Sequence, residues 1–333
     1  MPVDAGALER IALTRLPELQ GADGLFHPTP GREGNAVRSS AVALIGLARE
    51  EEAASAHGLS VGALRTGMLG SLSDPALDLG DLALALWAEA RIDGSAVPEV
   101  QARIQRRMPA KVDRLPLEDV AFLACGASEA AAVEGGDRAG LVALAVEELR
   151  TRLGESGVFL DAHHRWGRSL GPVSAQFHAL NGLRRAADGD DAEVVLAARG
   201  ISGLQNAGGA WPGVIDTRKG RGAEPYPVFT VNQIALPAIA LRGLDEAPLG
   251  PAFDWIEGRN PLGFSLIHPT EERIDHGVVP KRRIGSIARG VGRAGTRLRG
   301  EPRELGPDDL ILDPLVTAED LGWLLEAWAG RSV

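Results

Sequence analysis

The sequence predicts an all-α fold, a ring of six helical hairpins, and three observations lead there. A Q-x-x-x-G-x-aromatic spacing recurs: Gln205, Gly209 and Trp211 carry it in full, Gln20, Gly24 and Phe26 repeat it, and Gly157 and Phe159 keep its second half. Amphipathic segments alternate with segments apolar on nearly every face, and a helix apolar all round has to be covered all round. Strand signals are nearly absent.

In chain order, residues 3–20 place apolar side chains at i, i+3, i+4 and i+7 with charges opposite, as surface helices do, and Gly21 ends the run. The first repeat and a polar loop (21–38) lead into the Ala/Leu-rich segment 39–48. Further segments apolar on all sides follow at 79–90 and 117–127. Residues 139–154 are amphipathic again, then come loop 156–171 and the apolar stretch 171–183. Residues 191–205 form the last clear outer helix, with the best repeat at its end, loop 206–228 behind it and the apolar stretch 229–244 next. A long loop, 259–315, precedes the last apolar segment, 317–330. Six covered helices, each preceded by an amphipathic one, make a ring with inner helices around an axis and outer helices facing water. Residues 1–333 read as one such domain, because the repeats run from end to end. Three of the long loops each follow an outer helix and lead into an inner one, so they are expected at one mouth.

Composition narrows the function. The net charge of −10 argues against nucleic-acid binding, although residues 281–303 hold eight Lys/Arg against one acid, a local +7 that leaves about −17 elsewhere. With one cysteine, neither an internal disulfide nor a cysteine-rich zinc site is expected; Cys125, in VAFLACGA, reads as a small core residue. The opening residues lack the basic start and apolar core of a signal peptide, and no apolar run approaches a membrane span, so a cytoplasmic protein is expected. GRNPLG and the glycines at 285, 290, 292, 295 and 300 show neither Walker nor dinucleotide spacing, so no cofactor is expected, and no spacing marks a metal site.

The repeat, inside RGISGLQNAGGAW, resembles the QW-type repeat of the alpha-alpha toroid superfamily, which includes squalene-type cyclases, protein prenyltransferase beta subunits and related six-hairpin rings. The resemblance implies that Gln205 and Trp211 tie neighbouring helix ends. WIEGRNPLGFSLI, RIGSIARG and AEDLGWLLEAW also resemble uncharacterised bacterial toroid proteins associated with polysaccharide assembly, and similar rings carry glycoside hydrolases, uronate lyases and epimerases. The acidic D-x-D-D motif of squalene-type cyclases is absent; Asp308, Asp309 and Asp313 have the wrong spacing. The Asp and Cys pattern of a prenyltransferase zinc site fails at Leu123, two residues before Cys125.

Candidate chemistry lies in the loops. Asp161, His163, His164, Arg165 and Trp166 cluster, with His178 one helix later; a carboxylate beside imidazoles suits proton transfer, and a polar loop with satisfied histidines is the plain alternative. Loop 206–228 and the helix after it carry Trp211, Asp216, Arg218, Glu224, Tyr226 and Gln233. Two carboxylates near aromatic platforms suit glycosidic chemistry, and surface ion pairing with Arg218 or Arg221 is the plain alternative. Loop one repeats the mixture with Asp23, Phe26, His27, Arg32, Glu33 and Asn35. Arg282, Arg283, Arg289, Arg293 and Arg297 suit uronate, sulfate or diphosphate, or form a basic lid.

The leading expectation is a carbohydrate-active enzyme, a glycoside hydrolase or lyase acting on an anionic saccharide. Glu224 and Asp161 would be its acid/base pair, His163 or His164 a second proton carrier, and Tyr226 and Trp211 its stacking surfaces. Trp166, Asp216, His178, Gln233 and Arg283 would add substrate contacts. The alternatives are an isoprenoid-handling ring of the terpenoid cyclase or prenyltransferase kind, expected to have an apolar bore, and a noncatalytic binding or assembly module. The sugar reading expects an acidic, aromatic-rimmed cleft.

Overall fold

The computed structural model describes residues 5–28, 35–109, 112–133, 140–161, 169–186, 191–224, 228–244, 247–281 and 307–328. Its helices are α1 (Ala5–Arg15), α2 (Ala36–Leu47), the short α3 (Glu51–Ala56), α4 (Val61–Gly70), α5 (Leu79–Ile92), α6 (Val97–Arg107), α7 (Leu117–Ala130), α8 (Gly140–Arg152), α9 (Val173–Ala186), α10 (Ala192–Ser202), α11 (Leu236–Ala240), α12 (Leu249–Ile256) and α13 (Ala318–Trp328). A π-helical turn, Val231–Ala235, leads directly into α11.

The expected ring is present and closed. α2 packs on α5, α5 on α7, α7 on α9, α9 on α11, α11 on α13, and α13 returns to α2. Outer helices α1, α4, α6, α8, α10 and α12 pack respectively on α13, α2, α5, α7, α9 and the π turn. Six helices fit around one axis because the inner ones are rich in small residues. A Cβ on Gly322 would stand 2.6 Å from the Val42 carbonyl of the neighbouring helix, and one on Gly126 2.5 Å from that of Ala83. At the axis, Trp87, Phe122, His178 and Trp323 meet: the Trp87 and Trp323 rings lie 5.7 Å apart, and His178 packs 4.7 Å from Phe122 and 4.9 Å from Trp323. Cys125 is fully buried in the core, as its apolar setting implies.

The repeat is a corner staple. Gln20 Nε2 donates to the Gly24 carbonyl at 2.7 Å and Gln205 Nε2 to that of Gly209 at 2.8 Å, and Gln205 also reaches the Pro248 carbonyl of the next hairpin at 2.9 Å. The glycines turn at positive φ, 78° at Gly24, 75° at Gly157 and 86° at Gly209. A Cβ on Gly209 would strike the Pro251 carbonyl. Phe26, Phe159 and Trp211 plug the corner with no exposed surface. Each plug's backbone N–H is then caught by a side chain of the following inner helix or turn: Ser40 Oγ at 3.0 Å, Gln176 Oε1 at 2.8 Å and Gln233 Oε1 at 3.0 Å.

Where loops were expected, the structure adds short strands. β1 (Leu170–Pro172), β2 (Val214–Asp216) and β3 (Arg221–Glu224) form one antiparallel sheet that ties the second long loop to the third. β4 (Val228–Phe229), β7 (Gly277–Pro280) and β8 (Leu310–Asp313) form another, and β5 (Ile267–His268) pairs with β6 (Arg273–Ile274). Strands of two to four residues are too brief to leave a period-two signature in the sequence. No described helix is long and apolar enough to cross a membrane.

Candidate active site

The inner helices begin at one mouth of the ring, and acidic residues stand at the start of three of them, α5, α7 and α13. Asp78 and Asp81 form a reciprocal capping box on α5, with bonds of 2.8 and 2.9 Å. Glu118 and Asp119 open α7, and Glu319 and Asp320 open α13. Asp320 accepts from both the backbone N–H and the hydroxyl of Thr317 at 2.9 Å, while Thr317 Oγ1 caps the Asp320 N–H. Carboxylates are favoured here by the unpaired N–H groups and the positive end of each helix dipole. Concentrating them at one mouth follows from helices that all run the same way.

They surround a cavity of about 530 Å³, lined by Glu118, Glu319, Glu224 and Asp320, the imidazoles of His178 and His276, and Trp323. Pro28 of loop 21–38, Gly213 and Val214 of loop 206–228, and Pro172, one residue past loop 156–171, are among its other lining residues. Arg38, on α2, is the guanidinium serving the carboxylates: Nε lies 2.8 Å from Asp81, Nη2 3.4 Å from Asp78 and Nη1 3.8 Å from Glu118.

Among the described residues, this one arginine faces more acids than it can balance. Burial pushes the Glu118 carboxyl up, Arg38 partly offsets it, and the charges of Glu319 and Asp161 push it further. The Glu118 side chain nevertheless keeps a third of its surface open, because the cavity reaches it deep inside the ring. Glu319 is also held up by burial, against the 2.8 Å hydrogen bond from Ser39 Oγ and the charge of Arg38, with Asp320 and Asp81 adding to the rise. Asp119, behind them, is pushed to about 7 by burial and by Asp78, despite Arg38.

The two histidines are set in opposite directions. Burial, with Arg38 nearby, lowers His178 to about 3, so it is a neutral imidazole. For His276, burial disfavours the cation, but Asp320, 2.8 Å from Nδ1, outweighs it and raises the pKa.

The structure separates the residues expected from the loops. Glu224 and His178 line the cavity. Asp161 is 1% exposed, beneath Gly171 and beside Thr217, and acts on the mouth through its charge on Glu118. Asp216 is buried in β2, where it accepts from the Arg218 N–H at 3.2 Å. Trp211 and Gln233, expected to touch substrate, have no exposed surface and bond to each other, so they serve the corner instead. Tyr226, His163, His164, Trp166 and Arg283 lie outside the described residues. Glu118, Glu319, His276 and Asp320 were missed, although E-D at the start of two inner helices was readable in LEDVAF and AEDLGW. Among the described residues, no three His, Cys, Asp or Glu side chains converge to hold a metal ion.

No family model matches this sequence, and no curated protein matches it. Solved structures do. The GH76A alpha-1,6-mannanase from Salegentibacter sp. HEL1_6 aligns over 98% of this chain and 99% of its own, with TM-score 0.58 and 14% identity. A glycosyl hydrolase family 88 protein from Bacteroides vulgatus aligns over 99% of both chains, with TM-score 0.58 and 12% identity. A type II terpene cyclase from Scytonema aligns over 97% of both, with TM-score 0.54 and 13% identity. One ring serving such different chemistries leaves function to be argued from the site, and the likeness establishes the fold: this chain is an all-α toroid.

Proposed function

We propose that the protein cleaves glycosidic bonds at the acidic mouth, with Glu118 and Glu319 as its acid/base pair. The observation that carries this reading is that both carboxyls are held above their ordinary range beside one cavity that also exposes an edge of Trp323. Where two acids at one cavity are both disfavoured as anions, one stays protonated and is then available to a departing oxygen. Among the described residues Arg38 pairs with Glu118, at 3.8 Å, and not with Glu319, so Glu319 is assigned as proton donor and Glu118 as base. Glu319 protonates the glycosidic oxygen as the bond to the anomeric carbon breaks. Glu118 takes a proton from the water that attacks that carbon. The exposed margin of Trp323 gives the sugar an apolar contact, and Glu224, also lining the cavity, accepts hydroxyl hydrogens.

Among the described residues the carboxylates outnumber the cations at this mouth, which favours a neutral saccharide over the anionic one expected from the sequence, since a uronate meets like charge from these residues. That expectation rested largely on the arginines of 281–303, of which 282–303 lie outside the described residues. The lining mixes apolar residues (Val214, Phe229, Val231, Leu236, Trp323) with four carboxylates and two imidazoles, and it is these ionisable groups that an isoprenoid bore would not be expected to hold. The named mannanase and family 88 hydrolase lend support as saccharide-active rings of the same fold.

The test is new reducing ends from a panel of neutral and uronate-containing oligosaccharides. Glu118→Gln and Glu319→Gln are each expected to lose turnover by about 10²–10⁴-fold with the melting temperature unchanged or raised. On aryl glycosides with an acidic leaving group, which need no proton donor, Glu319→Gln is expected to recover and Glu118→Gln is not. Full activity in both variants would refute the assignment.

A further inference from the structure

The opposite mouth, where the inner helices end, holds a second cavity of about 460 Å³, lined by Arg49, Arg91, Arg184, Arg185, Arg242 and Glu129. We infer that this arginine-lined cavity binds a compact phosphate-type anion, such as a diphosphate or a phosphate ester.

Charge is the first argument. Behind the lining stands Glu326, 1% exposed, so among the described residues five guanidiniums face two carboxylates, on a chain whose net charge is −10. Both carboxylates are already shared between the same two arginines. Arg91 reaches Glu129 at 3.1 Å and Glu326 at 3.0 Å, while Arg185 reaches Glu326 at 3.1 Å and also pairs with Glu129. These two guanidiniums are fixed from below as well, lying 5.4 and 4.8 Å from the Trp87 ring.

Arg184 is served differently. Its bonds go to the carbonyls of Arg242 (3.3 Å) and Ile239 (3.1 Å) and to the Asn181 amide oxygen (3.2 Å), and among the described residues it pairs with no carboxylate. Its Nε is buried without an acceptor among the described residues. Burial and the neighbouring Arg185 charge both disfavour its cation. Arg242 donates to the carbonyls of Glu326 (3.0 Å) and Ala327 (2.8 Å).

Capping helix C-termini is an ordinary use of arginine, and it accounts for those carbonyl bonds. It does not account for five guanidiniums arranged around a hollow large enough for a small ligand. Preordered, partly desolvated guanidiniums converging from several helices suit the tetrahedral oxygens of phosphate, which accept paired N–H bonds. The aromatic residues at the axis lie between this mouth and the acidic one, so the site is separate from the proposed catalytic cavity and does not depend on it.

Isothermal titration of the full chain with inorganic pyrophosphate at low and moderate salt tests the inference. Saturable binding that weakens with salt is expected. Arg184→Gln should weaken it about tenfold or more, the loss of one charged hydrogen-bonding partner. Arg49→Gln, at an exposed position with no burden in the core, should weaken it several-fold, while Glu118→Gln at the other mouth should leave it unchanged. Absence of binding to the wild-type chain would overturn the inference. Should Arg184→Gln fail to fold, undiminished binding by Arg49→Gln would overturn it as well.

Discussion

Replacing Gln233 with Leu separates a structural staple from a substrate contact at the residue where the two roles differ most. The Gln233 amide accepts from the Trp211 N–H at 3.0 Å and donates to the Trp211 carbonyl at 3.1 Å, and neither residue has exposed surface. Leucine keeps much of the volume and removes both bonds, leaving a buried N–H and a buried C=O without partners. Each such group costs about 1–3 kcal/mol, so a loss of about 3 kcal/mol is expected. Unfolding entropy near 2.1 cal/mol/K per residue gives about 0.7 kcal/mol/K for 333 residues, which converts the loss to roughly 4 °C. Differential scanning calorimetry reads the shift. Gln176→Leu, which removes the equivalent bonds of 2.8 and 3.0 Å to Phe159, should cost a similar amount, and the two losses should add because they sit in different hairpins. A Gln233→Leu protein of unchanged stability that had lost ligand affinity would refute this reasoning and return the residue to the site.

Three further outcomes are expected. Asp119 titrates near 7 when folded against an ordinary value of 3.8, so the folded state holds an extra proton between them and stability falls as pH rises through that window. Asp119→Asn should flatten this slope and gain at most about 4 kcal/mol at pH 8 in pH-dependent urea unfolding. Arg65 binds the fully buried Glu89 through two bonds, 2.6 and 2.7 Å, and so ties outer α4 to inner α5; Arg65→Ala should cost about 3 kcal/mol by leaving that carboxylate unpaired, a loss that denaturant midpoints will show. The raised pKa of His276 means its pairing with Asp320 stabilises the fold below the ordinary histidine pKa and ceases to do so as pH rises through the raised value. NMR titration should find that pKa lower in Asp320→Asn.

The architecture was legible because its signals are long and local. All-round apolar segments foretold α2, α5, α7, α9, α11 and α13, and the Gln, Gly and aromatic spacing marked the corners. The third member of each corner was not visible, since Ser40, Gln176 and Gln233 come 14, 17 and 22 residues after their aromatic partners. The mouth was harder to read. Glu224 and the rim could be found in the loops, whereas the carboxylates assigned to catalysis stand on α7 and α13, some 200 residues apart in sequence. In sequence, Glu118 and Glu319 look like ordinary first-turn acids. Only ring closure brings them to one cavity, where burial and neighbouring carboxylates lift their pKa values. The arginines at the other mouth were hidden in the same way, one or two at the ends of α2, α5, α9 and α11.

A crystal structure of Glu118→Gln soaked with the oligosaccharide that the wild-type enzyme cleaves would test the central claim most directly. The account predicts a sugar ring against Trp323, with the scissile oxygen within hydrogen-bonding distance of Glu319 and its anomeric carbon facing residue 118. A saccharide bound elsewhere on the ring, with the acidic mouth empty, would contradict it.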